Sequence, residues 1–540
     1  YYLNHMRKLS YPGRSNVLSN KGIVATSQPL AAQAGIQILK NGGNAVDAAV
    51  ATAAVLNVVE PMSTGIGGDV FALYYKANEK KVYALNSSGR SSSKADPEEL
   101  INKGYNSIPA TSPYSVSVPG AVRGWEAIVN KFGNLNLSDI IEPAYLYAKN
   151  GFPVSEVIAE GWNGSVNKIQ EDSKYSEYLT PGAPKFGELK KLPYLANSLN
   201  TIMNEGPDAF YNGEIASKIS NHIKSLGGWI DENDISNHSA DWVEPINTDY
   251  KGHTVWQCPP NTQGLNVLMS LNIFEGFSSN DTKNLQDEIH LKIEAVKAAF
   301  SDGLFNITDF EISKEVLPEL LSKSYAESKR KLIKHNKANK YEPTIKIDTS
   351  NTVYITVVDQ EGNGCSFINS LYQGFGSGIV VPETGIFLQN RGSSFSLDKN
   401  HPNYLEPNKR PFHTLIPGMV TKDDNLEYCY GVMGGMQQAQ GHFQVLTNLI
   451  DKKMTPQEAL DYPRFSVTPW DDEEKDIKKD TVLIESTFRN DLIEQLIQFG
   501  HNIIVSDPTP NFGGGQIIQV NGNIFIGGSE PRKDGQAIGI

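Results

Sequence analysis

Cysteine is scarce in this sequence. Its 540 residues hold three thiols, Cys258, Cys365 and Cys429, all far apart. No CxxC pair occurs and no Cys/His cluster has zinc spacing, which excludes zinc ribbons, dithiol redox sites and a disulfide scaffold. So few thiols fit a reducing compartment, and a cytoplasmic protein is expected. Excess positive charge is missing as well. The net charge of −13 argues against a nucleic-acid surface and favours solubility. Long apolar runs are also missing. The most apolar helical stretch, AVDAAVATAAVLNVVE (residues 45–60), carries Asp47 and Asn57 and is too short to span a bilayer. The first residues, YYLNHMRKLSYPGRSNV, contain no apolar core of the secretory kind. No membrane partner is therefore expected. Repeats and low-complexity tracts are absent.

With 39% hydrophobic and 20% charged residues, the chain is a globular one. Ile23–Ser27 reads as a short strand. Pro29–Lys40 has helical spacing and stops at Asn41-Gly42-Gly43, and Asn44 is placed to cap a second helix over 45–57. Val70–Tyr75 and Lys81–Leu85 read as a hairpin pair. Residues 120–330 read as mostly helical, and residues 352–540 as strand-rich with helices near 436–450 and 488–499. From about 326 to 346 the chain turns polar and basic, ESKRKLIKHNKANKYEPTIK, which predicts an exposed, mobile segment. Strands at both ends with segregated helices suggest α+β layers.

Several motifs have an ordinary structural alternative. Gly65-Ile66-Gly67-Gly68 and Gly374-Phe375-Gly376-Ser377-Gly378 could cradle phosphate, but neither has the spacing of a nucleotide loop, and tight turns are the default. Ser91-Ser92-Ser93-Lys94 matches S-x-x-K without its partner motifs. His413 and His442 have no acidic neighbour at ligand spacing, so no metal is expected. Gly431-Val432-Met433-Gly434-Gly435-Met436-Gln437 runs a strand into a glycine pair and a helix start. Backbone N–H groups there can form an oxyanion hole.

One seam asks for more. In IDTSNTVYITVVDQEGN (347–363) a polar run ends at Thr352, and an apolar β-branched strand follows. A strand start is the ordinary explanation of the threonine. The sharper reading is a nucleophile whose base is its own α-amine, near pKa 7.7–8.0. That amine must be freed by cutting Asn351–Thr352, through attack of the Thr352 hydroxyl on the Asn351 carbonyl.

The stretch GIVATSQPLAAQAGIQILKNGGNAVDAAVATAAVLNVVEPMSTGIGGDVF (22–71) resembles the gamma-glutamyltranspeptidase family of N-terminal nucleophile hydrolases. So do VPGAVRGW (118–125), GPDAFYNGEIA (206–216), GGWIDENDI (227–235), NTVYITVVDQEGNG (351–364), GFGSGIVVPETGIFLQN (374–390), KRPFHTLIPGMV (409–420), GVMGGMQ (431–437) and EPRKDGQAIG (530–539). The resemblance implies a four-layer αββα sandwich of two stacked antiparallel sheets. It implies a self-cutting precursor with a large subunit, 1–351, and a small subunit, 352–540, together one domain; dimerisation is left open. It places the nucleophile at Thr352 and the oxyanion glycines at Gly434 and Gly435. Thr356 and Ser370 match hydroxyl positions near the nucleophile, and Tyr372 a substrate contact.

The departures bear on substrate. The arginine that holds the glutamyl carboxylate is matched by Arg90, displaced by about two residues. The acidic residues that hold the ammonium are replaced by Ser393 and Ser394, and Arg391 is added. The family's Ser-Ser pair reads His413-Thr414. This pattern resembles a divergent branch with cephalosporin-acylase-like and oxamate-amidohydrolase-like members. The expected activity is hydrolysis or transfer of a gamma-glutamyl or similar carboxylate-bearing acyl group from a small-molecule amide, without cofactor or metal. Two alternatives stand beside it: an oxamate amidohydrolase or cephalosporin-acylase-like amidase, and an inactive homologue that only binds ligand.

Overall fold

A computed structural model describes residues 13–170, 176–340, 351–468 and 478–540. Two seven-stranded sheets form its centre. One runs in the order Gln536–Gly539, Gly22–Thr26, Asn351–Asp359, Gly364–Tyr372, Asp69–Lys76, Lys81–Ser87 and Asp241–Val243. The other runs Val17–Ser19, Ile524–Ser529, Gly514–Asn521, Asn425–Met433, Gly418–Lys422, His253–Gln257 and Ile246–Tyr250. Every neighbouring pair in both is antiparallel.

Side-chain alternation explains why the sheets stack. On strand Asn351–Asp359, Tyr354 and Val358 join Phe71, Leu73 and Ile368 against Met419, Cys429 and Ile518 of the second sheet. Val353, Ile355 and Val357 point the other way, into a core with helices Pro29–Lys40, Ala45–Val59, Ala121–Phe132 and Leu137–Asn150. Both faces are buried, so the strand reads as a continuous apolar run. The second sheet turns Val420, Tyr430, Val432 and Ile517 toward helices Gly264–Glu275, Leu285–Asn306 and Gln437–Ile450. The result is helix, sheet, sheet, helix: the αββα sandwich. Among the described residues no helix is long and apolar enough to cross a membrane.

Helix Ala45–Val59 is buried at every position. Its alanines keep it thin enough to lie between the sheet and the outer helices. Asn44 and Asp47 close a capping box at its start. The middle of the chain departs from the reading above, because strands Asp241–Val243, Ile246–Tyr250 and His253–Gln257 interrupt the helices. The segment expected to be mobile also differs over its first part. Lys323–Arg330 is a helix, and Ala326 and Ile333 are buried. Residues 341–350 lie outside the described residues.

Packing shapes two buried histidine environments. His442 is fully buried behind the second sheet and accepts from Gln257 Nε2 at 3.1 Å. Burial pushes its pKa down to about 3. His290, Glu294 and His501 have ligand atoms close together, but their nitrogens are already engaged. His290 Nε2 meets the Lys334 carbonyl at 2.7 Å, His290 Nδ1 meets His501 Nε2 at 2.7 Å, and the Lys297 ammonium meets His501 Nδ1 at 3.3 Å. One consistent protonation satisfies this chain, with a cation in its midst.

A histidine whose folded pKa lies below its unfolded value of about 6.5 loses stability as pH falls below 6.5, because the unfolded chain then binds more protons. Wild type going from pH 7 to pH 5 is expected to lose about 2 kcal/mol more than His442→Gln, from roughly 1.5 pK units of unsatisfied protonation. Urea midpoints at the two pH values measure this; parallel losses in both proteins would refute it.

Candidate active site

Thr352 is the second residue of strand Asn351–Asp359 and is completely buried. The pairing with Gly364–Tyr372 breaks register between Asn351 and Val353, so Thr352 sits in a bulge, a device that re-aims a side chain at a strand end. Its Oγ1 donates to Ser370 Oγ at 3.1 Å. Ser370 Oγ in turn donates to the Asn351 carbonyl at 3.1 Å and accepts the Tyr372 N–H at 2.8 Å. A single hydroxyl thus bridges the threonine oxygen and the carbonyl just before it. Tyr372 holds φ +83, a strained backbone for a bulky residue. Behind Ser370 lies the GIGGD turn, where a Cβ on Gly68 would stand 2.1 Å from the Ser370 carbonyl oxygen. That glycine serves close packing rather than phosphate.

Contacts between the sheets locate the glycine pair. Thr356 Oγ1 donates to the Cys429 carbonyl at 3.0 Å. A Cβ on Gly431 would stand 2.5 Å from the Tyr354 ring. Residue 356 therefore faces 429 and 354 faces 431, so the start of strand Asn351–Asp359 runs toward the end of strand Asn425–Met433, which Gly434 and Gly435 follow. These two glycines have φ +124 and +56 and open helix Gln437–Ile450 through Gln437 N–H to Gly434 O and Gln438 N–H to Gly435 O. Among the described residues neither glycine's own N–H meets an acceptor. Two free amides at a helix start can stabilise an oxyanion.

Thr356 lies apart from this cluster. It is four residues along the strand from Thr352, about 13 Å at 3.3 Å per residue, and it ties the two sheets.

The residues expected to meet substrate divide. Arg391 is buried in turn Arg391–Ser394, with its guanidinium 4.0 Å from the centre of the Tyr372 ring and its Nη1 donating to Thr414 Oγ1 at 2.8 Å. Gln263 Nε2 bonds both the Thr414 carbonyl, at 3.0 Å, and the Gly435 carbonyl, at 3.1 Å. Gln263 thereby joins the arginine loop to the glycine pair, a role with no local signal in the sequence. Arg391, Thr414 and Tyr372 therefore share one cluster with Thr352 and Ser370.

Arg90, Ser394 and His413 are placed differently. Arg90 is half exposed and pairs with Asp241 at 3.5 Å, a carboxylate that it shares with Arg410; no described contact brings it to Thr352. Ser394 Oγ donates to the Phe412 carbonyl at 2.8 Å. His413 is fully buried, and both its nitrogens are spent. Nδ1 accepts from Leu415 N–H at 3.2 Å, so Nε2 carries the proton and donates to Asp69 Oδ2 at 2.8 Å. Burial holds His413 well below its usual pKa and lifts Asp69 to about 7, against the pull of nearby Arg391. Gly89 N–H and Gln389 Nε2 also donate to Asp69. His413 and Asp69 are thus a buried strut behind the site. Ser91 bonds the Glu406 carbonyl and Lys94 pairs with Asp231 at 2.9 Å, so the S-x-x-K match is a loop.

The gamma-glutamyltranspeptidase family model matches residues 31–540. A glutathione hydrolase-like proenzyme of Bacillus subtilis (strain 168) is 38% identical, over 97% of this chain and 99% of that protein. An oxamate amidohydrolase proenzyme of Klebsiella pneumoniae is 31% identical, over 97% and 99%. The solved structure of a cephalosporin acylase from Bacillus halodurans superposes with a TM-score of 0.92 at 41% identity, covering 100% of this chain and 99% of that one. With its two-sheet sandwich and a family match spanning nearly its whole length, the chain belongs to the gamma-glutamyltranspeptidase family.

Proposed function

We propose that the protein is a self-processing threonine amidase, acting on a small amide whose acyl group carries a carboxylate. The observation that carries this reading is the hydroxyl chain from Thr352 Oγ1 through Ser370 to the Asn351 carbonyl. In the uncut chain Thr352 Oγ attacks that carbonyl. Ser370 accepts the threonine proton and passes its own toward the carbonyl oxygen. The C–N bond breaks, the acyl group moves from nitrogen to oxygen, and water opens the resulting ester. Thr352 then begins the small subunit with a free α-amine.

In the cut enzyme Thr352 Oγ attacks the substrate amide. Its amine takes the hydroxyl proton and returns it to the departing amine. The N–H groups of Gly434 and Gly435 hold the oxyanion, and water releases the acid. An acceptor amine in place of water gives transfer. Gamma-glutamyl amides and oxamate, the substrate words in the relatives' names, are the first to test. Incubated protein is expected to release 4-nitroaniline from carboxylate-bearing anilides, or ammonia from oxamate. A fully cut protein that hydrolyses none of them would contradict the reading and favour a ligand-binding role.

A further inference from the structure

Arg391 is 1% exposed, and its Nε and Nη2 have no hydrogen-bond partner among the described residues, while Nη1 is pinned by Thr414 at 2.8 Å. Nε–H and Nη2–H lie on one edge of the guanidinium, the edge that fits the two oxygens of a carboxylate. Thr414 and the Tyr372 ring fix the plane of the group, so the free edge is preset. A buried cation with an unused fork is poorly compensated without an anion. The neighbouring carboxylate, Asp69, already accepts from Gly89, Gln389 and His413. The fork is tied to the reaction centre on both sides. The Tyr372 N–H shares the Ser370 hydroxyl with Thr352, and Gln263 links Thr414 to Gly435.

We propose that Arg391, rather than Arg90, selects the substrate: its free edge binds the carboxylate of a dicarboxylic half-amide, and the site makes no provision for an ammonium. This rests on the Thr352 chemistry proposed above. The ammonium is excluded because the hydroxyls at the corresponding loop are turned to backbone. Ser393 Oγ donates to the Asn390 carbonyl and Ser394 Oγ to the Phe412 carbonyl, each at 2.8 Å. Asp69 is spent on its three donors. A gamma-glutamyl group therefore gains nothing here from its amine.

Three 4-nitroanilides of equal chain length separate the contributions: glutaryl (carboxylate alone), gamma-glutamyl (carboxylate and ammonium) and pentanoyl (neither). Wild type is expected to favour glutaryl over pentanoyl by about 10²-fold in kcat/KM, the scale of a lost bidentate ionic contact, with gamma-glutamyl no better than glutaryl. The cutting step does not use the fork, and Arg391→Met is assayed as its cut form, verified by intact mass. Its kcat/KM for glutaryl falls by about 10²-fold, mostly in KM, while pentanoyl changes little. Arg391→Lys keeps the charge, loses the fork and falls between them. A cut Arg391→Met or Arg391→Lys enzyme with the wild-type glutaryl-to-pentanoyl ratio overturns the proposal alone, as does a wild type that strongly prefers gamma-glutamyl to glutaryl. A wild-type chain that neither cuts nor turns over any anilide overturns the Thr352 reading and this proposal together.

Discussion

Thr352→Ala is expected to remain one chain and to hydrolyse no amide. Both losses follow from one atom. The Oγ that would attack the Asn351 carbonyl is the one that would later attack substrate, and the substitution removes it while leaving a small side chain in a completely buried position. The expected drop in activity is on the order of 10⁴-fold or more, as for removal of other side-chain nucleophiles. Thr352→Ser keeps an oxygen and is expected to cut and turn over more slowly. Ser370→Ala keeps the nucleophile but removes the bridge to the scissile carbonyl; cutting is expected to slow by about 10²-fold or more, the usual scale for a lost proton-transfer group. Electrophoresis of time-resolved samples reads all three. Normal cutting by Thr352→Ala would end the account.

Glu530→Ala is expected to destabilise the protein by about 3–5 kcal/mol, because it breaks a buried ionic cluster from one side. Glu530 is wholly buried between Arg464, at 2.9 Å, and Arg532, also at 2.9 Å. The neighbouring Glu485 is paired to Arg532 at 2.5 Å. Both arginines hold Glu530 below the ordinary carboxylate pKa despite its burial. Alanine leaves two buried guanidinium groups to one remaining carboxylate. The damage reaches the site. Arg464 Nη1 donates to the Gly513 carbonyl at 2.9 Å, Gly515 N–H donates to Glu530 at 2.8 Å, and a Cβ on Gly434 would stand 3.4 Å from the Gly513 Cα. Loosening this loop lets the glycine pair shift, so activity should fall with stability. An unchanged urea midpoint would show that the cluster contributes little.

Local sequence carried the parts of the fold that local physics decides. Thr352 stood out because the strand after it is apolar on both faces, and a buried strand between helices and a second sheet requires that. Asn44 announced a helix because a side-chain cap acts within three residues. Strands Asp241–Val243, Ile246–Tyr250 and His253–Gln257 escape a sequence reading because they are short, and the first two are edge strands. Asn247 and Asp249 alternate outward on INTDY, so the segment looks polar among helices. The surroundings of the site depend on contacts remote in sequence. The family resemblance makes Arg90 a clamp, and its partner in the fold is Asp241, remote in sequence. His413 looked available until Asp69 and Leu415 N–H claimed both nitrogens. Gln263 and Asp69 were overlooked because their partners are hundreds of residues away or lie on neighbouring strands. Asp69 did leave a trace, an acid at the mouth of an apolar strand in GIGGDVF.

The most direct measurement is the intact mass of purified wild-type protein after incubation, with N-terminal sequencing of any fragments. The account predicts two fragments that meet at Asn351–Thr352, the smaller beginning Thr-Val-Tyr-Ile. A single unbroken chain, or a cut at any other bond, would contradict it.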